Sequence, residues 1–463
     1  MRNTLAVITP RRALKALVPL LIAVPLLAAP GVAQAKSCSD PAVQLTVEEL
    51  RLTASLPAGG PAVGPELVRQ AGFDRLVADF GRRLCATRSR WTAQHLAETA
   101  GNDLWRTAVD RAQGRRPDLG TLDRYDDRPL YWARLQMSKA LRQWTPSFKL
   151  DPAARADIMT KFDLGARGLD DVRFPIGGKV KRVLMSGFDP FTLDGAGIRI
   201  GNPSGASALQ LDGKLLQTAD GPAIVQTVSF PVVWGYFDTG IVEKAFGTAL
   251  ADSRRRPDLI MTVSQGRPGR FDVERWAGAW RGGFPDNNNV SVVGQIPAAP
   301  GWPQPADQFI ETTLPYQQMV GTTGAYPVQF NQSFCVWPDS TKPGTGTAVC
   351  RTDAPKPGEI AASGGGGNYL SNESMYRSNR VRVGLGIDLP GGHLHTPVLG
   401  TATAPGDITD DAFVARRKAI ADQVVALVTT AAGATGTKAT TNTLPQPADA
   451  ATAVRDVLGT VLG

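Results

Sequence analysis

The chain has 463 residues, of which 42% are hydrophobic and 20% charged, a composition typical of a globular protein with a sizeable core. Its formal net charge is +8, but the lysines and arginines are scattered along the sequence. No basic stripe is interleaved with aromatic residues, and no zinc-finger or helix-turn-helix spacing occurs. The sequence therefore predicts no nucleic-acid partner.

The first 35 residues have the pattern of a secretory signal peptide. Basic residues precede an apolar run over Ala16–Ala29, and Ala33-Gln34-Ala35 has the small-x-small form of a cleavage site. The run is short and contains two prolines, so we expect an exported protein, periplasmic or secreted, without a membrane span in its mature form. Arg11-Arg12 leaves both twin-arginine export and ordinary export open.

Four cysteines follow the cleavage site: Cys38, Cys85, Cys335 and Cys350. In an oxidising compartment an even number predicts two disulfides, with three possible connectivities. Proximity along the chain favours Cys38–Cys85 and Cys335–Cys350, the second across a short hairpin, and buried free thiols are the alternative. None of the cysteines has the spacing of a metal site, so no metal is predicted.

Residues 36–175 are predicted to form a mostly helical accessory domain. Thr46 begins a sequence typical of a capping box. Three segments then carry apolar residues at helical spacing: 66–87, 92–113 and 130–144. Four tryptophans on apolar faces are predicted to be buried: Trp91, Trp105, Trp132 and Trp144. No catalytic pattern occurs in this part of the chain.

From about residue 176 the pattern changes to short strands that alternate with helices. Predicted strands cover 181–186, 223–233, 257–264 and 289–296, with a helix over 236–250. This alternation predicts an α/β sheet whose ligand site lies at the carboxyl ends of its strands. We expect this domain to cover residues 176–432, followed by a C-terminal tail over 433–463.

A glycine-rich stretch begins at Ser363 and leads to Ser371. Four consecutive glycines allow a tight loop, and Ser371 would lie at the start of a predicted helix over 372–381. The N–H groups of a helix N-terminus favour an anion or an oxyanion. The alternating run 381–387 is predicted to be a strand that ends at His393 and His395. A hydroxyl and a histidine placed in this way can form a nucleophile–base pair, whereas a glycine-rich surface loop with a solvated histidine is the alternative.

A series of short motifs occurs in one order between residues 181 and 432. They are Gly187-Phe-Asp-Pro-Phe191, Asn202-Pro-Ser204, Ser264-Gln265, Glu274-Arg275, Pro285-Asp-Asn287, Thr313-Leu-Pro315, Gly367-Asn-Tyr-Leu-Ser371-Asn372 and His395-Thr-Pro397. By these motifs the segment resembles the pyroglutamyl peptidase (pyrrolidone-carboxylate peptidase) family. The resemblance implies a three-layer α/β/α fold with a twisted mixed sheet, of the phosphorylase/hydrolase-like type, behind the helical domain.

The resemblance also implies roles for individual residues. Ser371 stands at the position of the family's nucleophilic cysteine, His395 at its general base, and Glu274 at the carboxylate that orients the base. The implied substrate-binding residues are Phe188 and Phe191, which would flank the pyrrolidone ring, Asn202, and Gln265, whose backbone would bind the lactam. An apolar slot with a few backbone partners suits a small neutral lactam, and a carboxylate fixes the tautomer of the histidine.

The chain departs from the family's pattern in several places. Serine replaces the nucleophilic cysteine, and a serine hydroxyl needs a well-placed base, although it also escapes oxidation. Gly283-Phe284 replaces the family's arginine, the loop between Gln265 and Glu274 is altered, and residues 327–361 form an insert that carries two cysteines.

The resemblance therefore implies an exported omega-peptidase that removes N-terminal pyroglutamate from peptides by acyl transfer through Ser371. A small peptide is its implied partner, and no metal or organic cofactor is implied. The alternative from another class is a catalytically inactive relative that binds peptides or lactams through the same pocket. A third interpretation is a structural envelope protein held by its helical half.

Overall fold

The computed structural model describes residues 38–177 and 179–435. The predicted signal peptide, its cleavage site and nearly all of the predicted C-terminal tail lie outside these residues. The described residues contain the α-helices α1 (Val47–Leu50), α2 (Val63–Gln70), α3 (Asp74–Ala86), α4 (Arg90–Ala112), α5 (Arg128–Gln143), α6 (Pro152–Gly165), α7 (Pro203–Leu211), α8 (Trp234–Asp238), α9 (Thr248–Ala251), α10 (Tyr316–Val320), α11 (Leu370–Gly384) and α12 (Asp411–Gly433).

The strands all follow α6 in the sequence. They are β1 (Lys181–Phe188), β2 (Leu215–Thr218), β3 (Gly221–Phe230), β4 (Leu259–Gln265), β5 (Phe271–Glu274), β6 (Trp276–Gly278), β7 (Trp280–Arg281), β8 (Gly294–Gln295), β9 (Phe309–Glu311), β10 (Val328–Asn331), β11 (Phe334–Val336), β12 (Val349–Arg351), β13 (Ala361–Ser363) and β14 (Gly391–Thr396). Shorter helical turns cover Arg51–Thr53, Gly195–Arg199 and Glu243–Gly247.

Helices α2 to α6 share one apolar core, and α1 precedes them. The predicted capping box is present, since Thr46 Oγ1 accepts from the Glu49 N–H at 3.2 Å and Glu49 Oε2 accepts from the Thr46 N–H at 2.9 Å. The single helix predicted over 66–87 is two helices, because the chain turns at Gly72 with a φ of +73°. Three of the four tryptophans are buried, as predicted, but Trp91 is 72% exposed and stacks on His95.

Seven strands form the central sheet, in the order β10-β5-β14-β4-β1-β3-β2. Strands β3, β1, β4 and β14 run parallel, β5 is antiparallel to β14, β10 is parallel to β5, and β2 is antiparallel to β3. Alternate residues of β1 enter different cores: Val183 packs with residues of α7 and α12, and Leu184 with residues of α11. The predicted α/β fold with a mixed sheet, preceded by helices, is confirmed.

Two predicted strands are wrong. Residues 381–384 belong to the last turn of α11, and both histidines lie inside β14 rather than after a strand. Only Gly294–Gln295 of the predicted strand over 289–296 is extended. The reason is a turn held by Asp286, whose Oδ1 accepts the N–H groups of Asn288 and Val290 at 2.8 and 2.9 Å.

The helix predicted over 236–250 is also interrupted. Gly240, with a φ of +78°, ends α8, and the π-helical turn Glu243–Gly247 precedes α9. The division of the chain near residues 175–176 stays a prediction.

Both predicted disulfides, Cys38–Cys85 and Cys335–Cys350, are present. Cys335 lies opposite Cys350 in the antiparallel pair of β11 and β12, so the predicted hairpin is confirmed as well. Two disulfides fit an oxidising environment. Among the helices of the described residues, none is long and apolar enough to cross a membrane.

Candidate active site

Two neighbouring antiparallel strands bring Glu274 and His395 together. Glu274 is the last residue of β5 and His395 lies in the neighbouring strand β14. His395 Nδ1 lies 2.7 Å from Glu274 Oε1, and both side chains are buried. Because Nδ1 donates its proton to the carboxylate, Nε2 carries the lone pair that can accept another. The pair has the arrangement of an oriented general base.

A second histidine lies beside this pair. His393 is on the same side of β14, and its ring centroid is 4.4 Å from that of His395. Its two nitrogens lie 2.7 Å from Thr262 Oγ1 and 2.8 Å from Ser264 Oγ. Burial, and secondly the nearby His395, lowers the pKa of His393 well below its usual range, so the ring is neutral. Since both nitrogens already have partners, His393 supports the ring of His395 rather than acting as a second base.

The glycine-rich loop passes directly over the pair. A Cβ atom added to Gly365 would lie 2.2 Å from Glu274 Oε2, and one added to Gly366 would lie 2.1 Å from His395 Cε1. Only glycine permits so close an approach of the backbone. Gly365 and Gly366, in the run predicted as a tight loop, are therefore required by contact with the His–Glu pair.

Helix α11 begins directly after this loop. Ser371 is its second residue, and Tyr369 at the N-cap provides no side-chain hydrogen bond to the first N–H groups. Asn372 fixes the first turn, because its Oδ1 accepts from the Gly278 N–H at 2.9 Å and its Nδ2 donates to the carbonyls of Gly278 and Trp280. An uncapped helix N-terminus is a suitable environment for developing negative charge.

Of the three predicted catalytic residues, all of which the structure describes, two are hydrogen-bonded to each other and the third is not hydrogen-bonded to either. Glu274 and His395 are in direct contact. The partly exposed Ser371 follows Gly366 by five residues, and its carbonyl accepts from Ser374 Oγ at 2.8 Å. Over residues 38–177 and 179–435, no hydrogen bond involves Ser371 Oγ or His395 Nε2.

Two residues at the site were not predicted. Asn331 Nδ2 donates to Glu274 Oε2 at 2.7 Å and to the Gly365 carbonyl at 2.8 Å. Arg267 also donates to the Gly365 carbonyl, at 3.0 Å, and its Nη1 lies 2.9 Å from Asp272 and 3.7 Å from Glu274. Arg267 falls in the altered loop and Asn331 in the predicted insert, and neither belongs to a motif that could have singled it out.

The predicted ring-binding phenylalanines belong to a core. Phe188 is 3% exposed and its ring lies 5.8 Å from that of Phe230 and 6.2 Å from that of Phe237. Phe191 is partly buried against the same cluster. The cavity that borders Phe188 has a volume of about 10 Å³, which is the space of one water molecule.

The side chains of Asn202 and Gln265 have protein partners, and the predicted binding of a lactam by the Gln265 backbone stays a prediction. Asn202 caps α7, with Oδ1 accepting from the N–H and the hydroxyl of Ser204, and its Nδ2 donates to the Asp189 carbonyl at 2.9 Å. Gln265 ends β4, and its Oε1 accepts from the Leu399 N–H at 2.9 Å.

Residues in and next to helices α5 and α6 hold the segment that carries Phe188 and Asn202. Asp189 is paired with Arg134 at 2.6 Å and with Arg167 at 2.7 Å, all three side chains being buried. Asp127 Oδ2 accepts from the Asn202 N–H at 2.8 Å. Burial, and secondly the neighbouring Asp126, raises the pKa of Asp127 to about 7.

The described part of the chain contains no group of three or more His, Cys, Asp or Glu side chains that could hold a metal ion. The groups at this site that can take part in chemistry include the His–Glu pair, the hydroxyl of Ser371 and the N–H groups at the start of α11.

Comparison with known proteins places the chain in a family. The family of the PA0049 N-terminal domain matches residues 30–163, and that of the PA0049 C-terminal domain matches residues 182–305 and 302–400. The uncharacterized protein PA0049 of Pseudomonas aeruginosa is 31% identical, and the match covers 83% of this chain and 88% of that protein. The chain belongs to the PA0049 family.

One solved structure is also similar. The pyroglutamyl peptidase I of Bacillus amyloliquefaciens is 21% identical, and the match covers 54% of this chain and 96% of that one, with a TM-score of 0.32. A TM-score this low carries no weight for the function of this chain.

Proposed function

We propose that this protein is a hydrolase that works by acyl transfer, with Ser371 as nucleophile, His395 as general base and Glu274 as the carboxylate that orients the base. The observation that carries the proposal is the buried 2.7 Å contact between His395 Nδ1 and Glu274 Oε1. It lies beneath a loop of glycines that leads to a hydroxyl at a helix N-terminus.

The proposed reaction has two steps. Ser371 Oγ attacks the substrate carbonyl and its proton passes to His395 Nε2, while the N–H groups at the start of α11 stabilise the oxyanion. His395 then gives the proton to the leaving amine, and the acyl group remains on Ser371. In the second step His395 takes a proton from water, which attacks the acyl group, and Ser371 recovers its proton. Glu274 stays ionised and stabilises the imidazolium.

For the substrate, we propose peptides with an N-terminal pyroglutamate. The support is the ordered set of motifs from Gly187 to Pro397, which resembles that of the pyroglutamyl peptidases. The proposed compartment is outside the cytoplasm, because two disulfides fit an oxidising environment and the sequence begins like a signal peptide.

Hydrolysis of pyroglutamyl-aminomethylcoumarin by the purified mature protein tests this proposal. We expect turnover by the wild type and its loss in Ser371→Ala, whereas Ser378→Ala, a buried serine of the same helix, should keep it. Ser371→Cys should remain active and become sensitive to thiol alkylation, because the four native cysteines are all in disulfides. A wild type that hydrolyses no pyroglutamyl substrate would overturn the proposal.

A binding module for peptides or lactams is the second candidate. It is favoured by the absence, within the described residues, of a hydrogen bond between Ser371 and His395. This function predicts no turnover by the wild type and an unchanged affinity for pyroglutamyl peptides in Ser371→Ala, measured by calorimetry.

A further inference from the structure

The hairpin that contains Cys335 and Cys350 lies against both parts of the candidate site. It follows β10, which ends at Asn331. Its strand β11 pairs with β13, where Cys335 lies opposite Ser363, the residue directly before the glycine-rich loop. Residues 328–351 therefore reach both parts of the site. Asn331 contacts the carboxylate of Glu274, and β11 pairs with β13, which leads into the glycine-rich loop.

Asn331 connects the two parts through a single amide group. In the parallel pair of β5 and β10, Asn331 lies in register with Glu274, and the Asn331 carbonyl accepts from the Arg275 N–H at 2.9 Å. Its side-chain Nδ2 donates to both Glu274 Oε2 and the Gly365 carbonyl, at 2.7 and 2.8 Å. Among the described residues, Asn331 is the one hydrogen-bond donor to Glu274 Oε2.

The position of Asn331 is itself fixed. Its Oδ1 accepts from the Ser333 N–H at 3.2 Å. The next residue, Phe334, is fully buried, with its ring 5.1 Å from that of Phe309 and 6.0 Å from that of Trp276. The disulfide Cys335–Cys350 then joins β11 to β12. A supporting residue orients a functional group only when it is held rigidly, and these contacts provide that rigidity.

We infer that Asn331 is a positioning residue, which holds the carboxylate of Glu274 under His395 and ties it to the glycine-rich loop, and that the disulfide-bonded hairpin keeps Asn331 in place. The inference rests on the proposed function for its effect on catalysis. Its effect on the His395–Glu274 hydrogen bond is independent of any reaction.

The test combines NMR with kinetics. The chain has three histidines, so the imidazole N–H signal of His395 can be assigned with a His395→Gln variant. In the wild type we expect a low-field Nδ1–H signal from the bond to Glu274. Asn331→Leu has a similar shape but no donor, and it should lose or broaden this signal. Its kcat should fall roughly 10- to 100-fold, the scale of a small misplacement of a catalytic group, with little change in KM.

Gln329→Leu is the matched control, because Gln329 is an exposed amide in the same strand β10. It should change neither the signal nor kcat. A folded Asn331→Leu protein, shown by circular dichroism, with the wild-type signal and kcat would overturn the inference.

Two double variants, each lacking one disulfide, test the role of the hairpin. They also test the inference if Asn331→Leu does not fold. Cys335→Ser/Cys350→Ser should alter the His395 signal and lower kcat, whereas Cys38→Ser/Cys85→Ser, which removes the disulfide of the helical part, should lower thermal stability alone. Equal effects of the two pairs on the His395 signal would contradict the inference. If the wild type hydrolyses nothing, the proposed function fails, but the NMR comparison still decides the role of Asn331.

Discussion

The site around Glu274 and His395 can be compared with the segment from Gly187 to Asn202. Both regions bury polar side chains beside strands of the central sheet. Along Gly187–Asn202 these groups are paired with residues in and next to helices α5 and α6, as Asp189 is with Arg134 and Arg167. At the His–Glu pair, both carboxylate oxygens of Glu274 have hydrogen-bond partners, His395 and Asn331. His395 Nε2, in contrast, has no hydrogen bond among the described residues. The side chains of Asp189 and Asn202 have partners on both of their polar atoms, which indicates a structural role. A buried histidine with one basic atom that lacks a partner is instead compatible with catalysis.

The largest effect is expected from Glu274→Gln. The amide keeps the size of the side chain, but it cannot hold His395 in the required tautomer or stabilise its cation. We expect kcat for pyroglutamyl-aminomethylcoumarin to fall roughly 10³- to 10⁴-fold, with a smaller change in KM. Glu311→Gln, a partly exposed glutamate paired with Arg275, is the control and should be close to wild type. Equal activity of Glu274→Gln and wild type would remove the distinction between the two regions.

Asp127→Asn should change the pH dependence of stability. The pKa of Asp127 is raised to about 7 in the folded protein, above its unfolded value of roughly 3.9. The folded state therefore holds a proton that the unfolded state releases, and wild-type stability falls as the pH rises through this window.

The amide of Asp127→Asn does not titrate, so the variant should not lose stability in this window. The free energy of unfolding of the variant minus that of the wild type should therefore rise by up to about 1.4 kcal/mol per pH unit between about pH 5 and pH 7. Urea unfolding at several pH values measures the difference. A difference that does not vary with pH would show that Asp127 titrates normally.

Asn202→Ala should act on stability rather than on substrate affinity. It removes the cap of α7 and leaves the buried Asp189 carbonyl without its donor, so we expect a loss of roughly 1–2 kcal/mol in the free energy of unfolding. Gln217→Ala, an exposed amide of β2, should have no effect. If Asn202 binds substrate instead, KM will rise while the midpoint of urea unfolding stays unchanged.

Features that depend on residues close together in the chain were predictable from the sequence. The capping box at Thr46 and the two disulfides depend on residues that are close along the chain or on the number of cysteines. The contact of Glu274 with His395 was implied by the resemblance to the pyroglutamyl peptidases. The glycine run correctly indicated a tight loop, although the groups beneath it came only from the structure.

Features that depend on tertiary partners were not predictable. Residues 381–384 alternate like a strand, yet they continue α11, a helix in which Arg377, Arg380 and Arg382 are buried. Their partners include Glu243 and the carbonyl of Pro297, which are distant in sequence. Asn331 reaches Glu274 through strand register across 57 residues, and nothing in its local sequence marks it.

The central claim is that Ser371 is a nucleophile activated by His395. Labelling with a fluorophosphonate, which reacts with activated serines, tests it most directly when the modified residue is located by mass spectrometry. We predict one adduct, on Ser371, which disappears in Ser371→Ala and in His395→Gln. Absence of an adduct on Ser371, or an equal amount of it in His395→Gln, would contradict the claim.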